Sequence, residues 1–560
     1  MKTRFLISRF KKPAYKVMVC MASLVAVSAL SSCKKWLEEK PYSLYSTNTY
    51  FTSVDEATKA VLGVYEAMSN LNTYGFYMSL VYDIDSDIAQ MDGSGLSNDN
   101  RTIAHYNVTP NHSYILASWK LLYQGIDRAN LVIQKIPEMA LYQNGSDSQK
   151  TELKRLLGEA QFLRGLYYFD LVRLFGDVPF KLKFTEATDD MQPARTDREE
   201  IYDQIITDMK AAEEVVPWAS AKATDERVSK GAVKGILARV YLFRGGYSLR
   251  QNGTMQRPAN YKDYYAAALQ ETKEIMQSGE HALNTSYENI FRNYCNLTLE
   301  PKESMFEVAL YNTTGANANS GYIGTWNSPI CDAASSYGRA NSFYKVIPLF
   351  QKSYAKGDLR KDVAVAAFQI TATNTISAFD TTKSNSNDAK WAPGKWRRNW
   401  QGTSYKDQNN TDINWVLLRY ADVLLMRAEA ENEVNDGPNS DAYNAINMVR
   451  RRGFGKDINT VDPTVDLPGG LNKEDFLARV QKERAYELCF EGWRRMDLIR
   501  WNILGSTLRA TEAAVKKYRS NFPYVAGTYF VDNKHELYPI PQKERDLDPN
   551  LTQNPGYDGQ

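Results

Sequence analysis

The chain has 560 residues, which is enough for a large buried core and exceeds one typical domain. Its 68 basic and 66 acidic residues nearly cancel, so the formal charge of +2 gives no electrostatic case for a nucleic-acid partner. The four histidines are widely scattered, and the five cysteines show no metal-binding spacing. We expect no cofactor. The sequence also lacks the motifs of nucleotide-binding loops, zinc proteases and serine hydrolases.

The first 32 residues have the order of a bacterial signal peptide. A basic stretch that ends at Lys16 precedes an apolar run from Val17 to Leu30, which is too short to span a bilayer. Small residues then lead to Cys33, as in the lipobox of bacterial lipoproteins. We predict a signal peptide over 1–32, lipidation of Cys33, and a tether over 33–53. The alternative is ordinary signal cleavage beside an uninvolved cysteine.

The region 54–310 shows helical periodicity that is broken by short segments rich in glycine and proline. In the longest segment, apolar residues recur every three to four positions from Leu153 to Leu171, and Gly176 to Pro179 end it. Helix-turn-helix repeats of the tetratricopeptide type have this pattern. The predicted helices cover 54–71, 114–136, 148–175, 198–216, 230–247 and 261–278.

Two stretches lack helical periodicity and are candidates for a functional site. The first, 82–111, begins with aspartates spaced like those of a calcium-binding loop, but Ile88 occupies the position that requires glycine. A looser structural calcium site stays open as an alternative. The second, 311–412, is far longer than an ordinary connection, which indicates a functional insertion.

The insertion 311–412 combines many Asn, Thr, Ser and Gly residues with large aromatic side chains. Flat aromatic rings can stack on sugars while polar groups bind sugar hydroxyls, so this composition predicts a ligand-binding surface. The alternative for each ring is that it fixes a long loop to the body of the protein. The aromatic candidates are Tyr322, Trp326, Tyr337, Trp391 and Trp400.

The segment from Asn472 to Trp501 is predicted to be one buried helix with Asn472 as its N-cap. Charges at helical spacing suggest local pairs between Arg484 and Glu487, and between Glu491 and the two arginines that follow it. Buried charges must be paired, so we predict a structural ion network. An acid/base pair among these carboxylates is the alternative.

The same segment carries a family resemblance. Glu483-Arg484, Glu487-Leu488, Phe490-Glu491-Gly492, Asp497-Leu498 and Arg500-Trp501 resemble the C-terminal signature of the SusD/RagB family. Further blocks over 158–179, 227–242, 417–430, 537–541 and 550–557 are similar to other segments of that family, with 417–430 as a helix. The resemblance thus extends over nearly all of the chain that follows the signal peptide.

The resemblance implies a mainly α fold, a tetratricopeptide-like helical repeat scaffold with long irregular loop insertions, and a C-terminal family region over 413–560. It also implies a non-catalytic, lipid-anchored outer-membrane protein that is exposed at the surface. Such a protein captures a glycan and delivers it to a SusC-like TonB-dependent transporter. In this family a Ser-Asp pair lies near the glycan, so Asp87 joins the candidate ligand-binding residues. A peptide-binding import lipoprotein and a surface glycoside hydrolase remain as alternatives.

Overall fold

The computed structural model describes residues 50–96, 99–311, 319–382, 386–401 and 410–558. The chain divides into two compact units, residues 1–51 and residues 52–560. In the first unit, only Tyr50 and Phe51 are described, and their rings meet edge to face at 5.6 Å. The predicted lipidation site Cys33 lies outside the described residues.

Long helices make up the first half of the second unit, in agreement with their predicted positions. Most begin at a side-chain cap. Ser146, for example, accepts from the Gln149 amide while the Gln149 side chain accepts from the Ser146 amide. The helices are α1 (Val54–Tyr65), α2 (Tyr77–Leu80), α3 (Asp99–Ala104), α4 (Ser113–Glu138), α5 (Ala140–Asn144), α6 (Asp147–Phe175), α7 (Arg198–Val215), α8 (Lys230–Gly245), α9 (Tyr261–Ser278) and α10 (Tyr287–Cys295).

The second half contains shorter helices and then a C-terminal helical group. These helices are α11 (Pro348–Lys352), α12 (Arg360–Ala364), α13 (Tyr420–Val434), α14 (Ser440–Gly453), α15 (Lys473–Glu487), α16 (Arg494–Arg500), α17 (Leu504–Tyr518), α18 (Ala526–Tyr529) and α19 (Gln542–Leu547). Three short 3₁₀ helices cover Ala219–Ala221, Ser386–Lys390 and Arg398–Trp400.

In the described residues, the strands are short and pair only as antiparallel two-stranded sheets. The pairs are β1 (Ala89–Met91) with β7 (Tyr344–Val346), β2 (Val178–Pro179) with β3 (Arg195–Thr196), β4 (Ser248–Leu249) with β5 (Met255–Gln256), β6 (Ser304–Val308) with β12 (Trp415–Arg419), β8 (Val365–Ala366) with β11 (Ala392–Pro393), and β9 (Phe368–Ile370) with β10 (Ile376–Ala378). The fold is therefore mainly helical, as predicted.

Successive helices pack as a row, which is the arrangement expected of tetratricopeptide-like repeats. Helix α4 packs on α6, α6 on α7, and α8 on α9. The row then continues with α13, which packs on α9, and with α14 and α15, which pack on α13. The chain between α9 and α13, which contains the irregular insertion, thus leaves the row and returns to it. None of the helices in the described residues is long and apolar enough to cross a membrane.

Helix α1 ends at Tyr65, six residues before the predicted end at Leu71. The carbonyls of Ala67 and Met68 accept hydrogen bonds from the Thr73 hydroxyl, at 2.7 and 3.0 Å, where a continued helix would use backbone amides as donors. The chain then turns, and the carbonyl of Asn70 accepts from the amides of both Thr73 and Gly75. This turn places the aromatic residues that follow Gly75 beside the start of α4.

The prediction of one continuous helix from Asn472 to Trp501 is wrong. Asn472 does cap α15, with its side chain accepting from Asp475 at 2.8 Å, but the helix stops at Glu487 and α16 starts at Arg494. The carbonyl of Glu487 accepts instead from three distant side chains, those of Tyr287 (2.9 Å), Lys395 (3.0 Å) and Arg419 (3.1 Å). The chain between the helices passes through positive φ angles of 65° at Phe490 and 80° at Gly492.

The prediction that 417–430 is helical throughout is also wrong at its start. Leu417 to Arg419 belong to β12, which pairs with β6, and the helix begins at Tyr420. The extended conformation places the guanidinium of Arg419 inside the core, where its side chain has no exposed surface.

The buried charges form a structural ion network, as predicted, although the partners are not the local ones that helical spacing suggested. Arg419 bonds to Glu487 (3.0 Å), Glu491 (2.9 Å) and Glu303 (2.8 Å), while Arg484 bonds to Asp422 and Asp497 instead of Glu487. We define the ion network by its members Glu303, Asp358, Arg360, Lys395, Arg419, Arg450, Arg452, Glu483, Glu487 and Glu491, whose carboxylates and cations balance one for one.

The electrostatics of the ion network favour the ionised form of Glu487 despite its burial. Burial alone would raise the pKa of Glu487, but Arg452, Arg419 and Arg360 lower that pKa to about 2. All four carboxylates that the sequence singled out, on Glu483, Glu487, Glu491 and Asp497, have cationic partners at 2.5–3.2 Å. The network therefore fixes how the insertion and the C-terminal helices pack.

The segment 82–87 forms several hydrogen bonds with the C-terminal part of the chain. Tyr538 donates its hydroxyl to the Tyr82 carbonyl at 2.7 Å, and Tyr524 donates to the Ser86 carbonyl at 2.9 Å. The Asp83 carboxylate accepts from the Arg495 amide at 2.9 Å, in the first turn of α16. The beginning and the end of the second unit are thus joined by buried polar contacts.

Candidate functional site

Aromatic rings from three separate parts of the chain meet near the start of α4. The ring centroid of Phe76 lies 4.6 Å from that of Tyr322 and 4.4 Å from that of Trp326. Tyr77 and Tyr114 stack face to face, with centroids 3.8 Å apart and an interplanar angle of 14°. We define the aromatic platform as Phe76, Tyr77, Tyr114, Tyr322, Trp326 and Phe343.

The backbone around Gly75 explains how the insertion reaches the N-terminal helices. The Gly75 carbonyl accepts from the Tyr322 amide at 2.9 Å. A Cβ atom on Gly75 would lie 2.8 Å from the Asn70 carbonyl oxygen and 2.9 Å from that of Ser320, so only glycine permits this approach. One helical turn follows, in which the Trp326 amide donates to the Tyr322 carbonyl at 3.1 Å.

That turn places Tyr322 and Trp326 on one side, with nearly parallel rings at 16° and centroids 6.1 Å apart. Phe76 and Trp326 are buried, with 4% and 9% exposure, and they form the base of the platform. Tyr77, Tyr114, Tyr322 and Phe343 are half-buried and provide its accessible surface. The arrangement joins flat apolar faces to phenolic hydroxyls, which can exchange hydrogen bonds with a polar ligand.

The hydroxyl groups of Tyr77 and Tyr114 are neutral at physiological pH. Burial, Tyr114, Tyr322 and Asp99 all raise the pKa of Tyr77 above its ordinary value. Burial, Asp99 and Tyr322 likewise raise the pKa of Tyr114. Each hydroxyl can therefore act as both donor and acceptor, which suits ligands that carry hydroxyl groups themselves.

His112 fixes the edge of the platform at the start of α4. Its Nδ1 accepts from the Tyr114 amide at 3.2 Å and caps the helix, so Nε2 carries the proton and donates to the Asp99 carbonyl at 3.0 Å. Burial lowers the pKa of His112, which keeps the imidazole neutral. The Asp99 carboxylate accepts from the Ser113 hydroxyl at 3.3 Å.

The structure brings together only two of the ligand-binding residues that the sequence named, Tyr322 and Trp326. Asp87 instead forms a two-bond ion pair with Arg494, at 2.8 and 2.6 Å, on the wall of a separate cleft of about 510 Å³. Tyr337 packs against a small apolar cluster around Cys331. Neither residue adjoins the platform.

The predicted ligand-binding residues Trp391 and Trp400 lie inside the protein and away from the platform. Trp391 has 0% exposure, which assigns its ring to the core. Trp400 is 6% exposed, and its ring faces the guanidinium groups of Arg292 and Arg397 at 4.7 and 4.5 Å. Their contacts help to fix the long loops to the body of the protein.

The aspartates that suggested a calcium loop are held by protein groups. Asp85 accepts from the Met91 amide at 2.7 Å and faces His105 Nδ1 at 2.6 Å, while Asp92 pairs with Arg101 at 3.0 Å. Asp83 and Asp87 are bonded to the two arginines already named. Among the described residues, no group of acids, histidines and cysteines has the arrangement of a metal site.

Sequence reasoning missed Phe76, Tyr77, Tyr114 and Phe343. A signal existed in the run from Tyr74 to Tyr77, where three aromatic residues surround a glycine just after the first helix. It did not stand out because this run lies outside the stretches that lack periodicity. Their partnership with Tyr322 requires the close approach at Gly75, which one sequence does not reveal.

The fold and the platform together indicate a helical-repeat protein with a candidate aromatic binding surface. Residues 300–557 match the family model described as the SusD family, and residues 35–242 match the model described as starch-binding and associating with the outer membrane. The chain belongs to the SusD family. The expectation of a non-catalytic protein agrees with this family, and two structures that share the fold are described as surface glycan-binding proteins.

Individual relatives agree with this assignment. A SusD homologue from Bacteroides thetaiotaomicron is 33% identical, with a TM-score of 0.84 over 91% of this chain and 98% of its own. The SusD-like protein P25 from Formosa agariphila is 26% identical over 94% of this chain and 97% of its own. Surface glycan-binding protein A from B. thetaiotaomicron, in complex with laminarihexaose, shares the fold at 19% identity, with a TM-score of 0.67 over 90% of this chain and 100% of its own.

Proposed function

We propose that this chain is a lipid-anchored glycan-binding protein of the outer-membrane surface, which delivers oligosaccharides to a SusC-like TonB-dependent transporter. The observation that carries the glycan assignment is the aromatic platform. Its half-buried tyrosines present ring faces for the C–H faces of sugars and neutral hydroxyls for sugar hydroxyls. Two structural relatives support this class of ligand, one described as laminarin-binding and one bound to laminarihexaose.

The platform can be tested by calorimetric titration of the purified chain with a panel of oligosaccharides. Tyr77→Ala and Trp326→Ala should each weaken binding by roughly 1–3 kcal/mol. The first variant removes a ring that can stack on the ligand, and the second removes a ring at the base of the platform. Tyr142→Ala is the matched control. Tyr142 is also half-buried, but it lies just after the C-terminal end of α4, whereas Tyr114 lies at the N-terminal end. Unchanged affinity in folded platform variants would remove the platform from the binding site, and preferential binding of peptides would remove the glycan assignment.

The anchor and the transporter complete the proposal. The order of basic, apolar and small residues before Cys33 supports lipidation of that cysteine. The helical row offers an extended surface for a protein partner. A ligand captured on the platform would pass to the transporter when the two proteins open and close against each other by a hinge motion.

Membrane fractionation and affinity purification test the anchor and the partner together. The wild-type chain should remain in the outer-membrane fraction and, after mild detergent extraction, should co-purify with a large barrel protein in near-equal amount. Cys33→Ala should move the protein to the soluble fraction when the transporter gene is absent, because the lipid chains are then the only attachment. Retention of this variant in the membrane would argue against lipidation. Purification of the wild type alone, with the transporter expressed, would argue against the partner.

A further inference from the structure

Asp99 places a carboxylate at the edge of the aromatic platform. Residue 99 is exposed, and its side chain accepts from the hydroxyl of Ser113, the residue that directly precedes Tyr114. Its carbonyl accepts from His112 Nε2 at 3.0 Å and from the Thr102 hydroxyl at 2.8 Å. The His112 ring meets the Tyr114 ring edge to face at 5.3 Å. Asp99 is thus fixed beside the stacked pair of tyrosines by contacts to both its backbone and its side chain.

Asp99 adds a negative charge to this part of the platform. Burial and the Asp99 carboxylate both raise the pKa of Tyr77 and of Tyr114. His112 is neutral, as argued above. Arg101 lies two residues beyond Asp99, but its guanidinium bonds to the carbonyl and the carboxylate of Asp92 at 2.7 and 3.0 Å.

We infer that the aromatic platform selects neutral glycans over glycans that carry carboxylate or sulfate groups, and that Asp99 is the residue that determines this selectivity. The inference rests on the proposed function. A sugar hydroxyl can donate to the Asp99 carboxylate in a charge-assisted hydrogen bond. A uronate or sulfate oxygen can only accept, so it gains no such bond and is repelled by the like charge.

Recognition of anionic groups in proteins commonly relies on arginine, whose guanidinium can form two parallel hydrogen bonds with one carboxylate. In the described part of the chain, the surroundings of Tyr77 and Tyr114 provide the opposite charge. Repulsion of this kind separates ligands that share a backbone and differ only in charge, because the stacking contribution of the rings is the same for both.

A matched pair of ligands tests the inference, namely laminarin and its partially sulfated derivative, together with an array of neutral and anionic polysaccharides. Neutral members of the array are xylan, mannan and starch, and anionic members are alginate, polygalacturonate and carrageenan. Affinity is measured at low ionic strength for the wild type, Asp99→Asn, Asp99→Lys and the control Glu474→Gln, an exposed acid in the first turn of α15. The Asn variant keeps the shape of the side chain and removes only its charge.

The wild type should bind the best neutral glycan more tightly than any anionic glycan. Asp99→Asn should reduce this preference by roughly three- to tenfold, and Asp99→Lys should reduce it further. In 1 M salt, the preferences of the wild type and the variants should differ less. Glu474→Gln should behave as the wild type does. A preference of the wild type for anionic glycans, or an unchanged preference in Asp99→Asn, would overturn the inference and leave glycan binding intact. If no polysaccharide binds the wild type, both this inference and the proposed function fail.

Discussion

Arg419→Ala should lower the free energy of unfolding by about 3–5 kcal/mol, because it removes one partner from a buried, hydrogen-bonded charge cluster. The Arg419 guanidinium bonds to Glu303, Glu487 and Glu491, and none of these side chains is more than 4% exposed. Its loss leaves the carboxylates with an unbalanced negative charge in the core, where water cannot replace the cation. Urea denaturation followed by circular dichroism measures the effect and avoids the screening that guanidinium salts would introduce.

Arg509→Ala provides the comparison for a surface ion pair. Arg509 pairs with Asp532 at 3.0 Å, but the two side chains are 47% and 56% exposed. Its removal should cost about 0–1 kcal/mol, the usual range for a solvated pair. A similar small loss for Arg419→Ala would show that the ion network contributes little to stability and that its role lies elsewhere.

Glu307→Gln should abolish a decline in stability that the wild type shows between about pH 4.5 and pH 7. Burial in β6, together with Glu226 and Glu300, raises the pKa of Glu307 to about 7, although hydrogen bonds from Ser304 and Asn414 act in the opposite direction. The folded protein therefore holds a proton that the unfolded chain has lost. Stability is complete below the unfolded pKa of 4.5 and falls as the pH rises through 7, by about 3 kcal/mol in total.

The glutamine amide can donate to the Ser304 hydroxyl and accept from the Asn414 amide, so the buried hydrogen bonds survive in the variant. The measurement is the difference in unfolding free energy between variant and wild type from pH 4 to pH 8. Glu138→Gln, on a side chain with 56% exposure, is the control and should show no such trend. A constant difference for Glu307→Gln across this range would contradict the prediction.

The sequence predicted the long helices well because their signals are local. Helix α9 has the predicted bounds, and α6 starts one residue earlier than predicted and ends at Phe175 as predicted. In α6 the apolar spacing and Gly176, with a φ angle of 77°, act over neighbouring residues. Family resemblance and periodicity agreed for this part of the chain, and the structure confirmed the fold class.

The helix ends and the site depended on contacts between distant residues, which a single sequence does not show. The break after Glu487 requires Tyr287, Lys395 and Arg419 to reach one carbonyl. Composition pointed to aromatic residues in the insertion, but it could not separate half-buried Tyr322 from fully buried Trp391. An excess of aromatic side chains predicts that some of them are available to a ligand. Their burial in the folded protein, which one sequence does not show, determines which rings are accessible.

The contacts of segment 82–87 affect the order in which a newly made chain can reach its native state. This segment leaves the ribosome early, yet the groups that satisfy Tyr82 and Ser86 belong to Tyr538 and Tyr524. Until the C-terminal residues have emerged, the carbonyls of Tyr82 and Ser86 and the Asp83 carboxylate lack these native partners. Burial of these polar groups without hydrogen-bond partners costs free energy. Native closure of the N-terminal half therefore waits for synthesis of the C-terminal residues, and a chain truncated before Arg494 would remain open and susceptible to proteolysis.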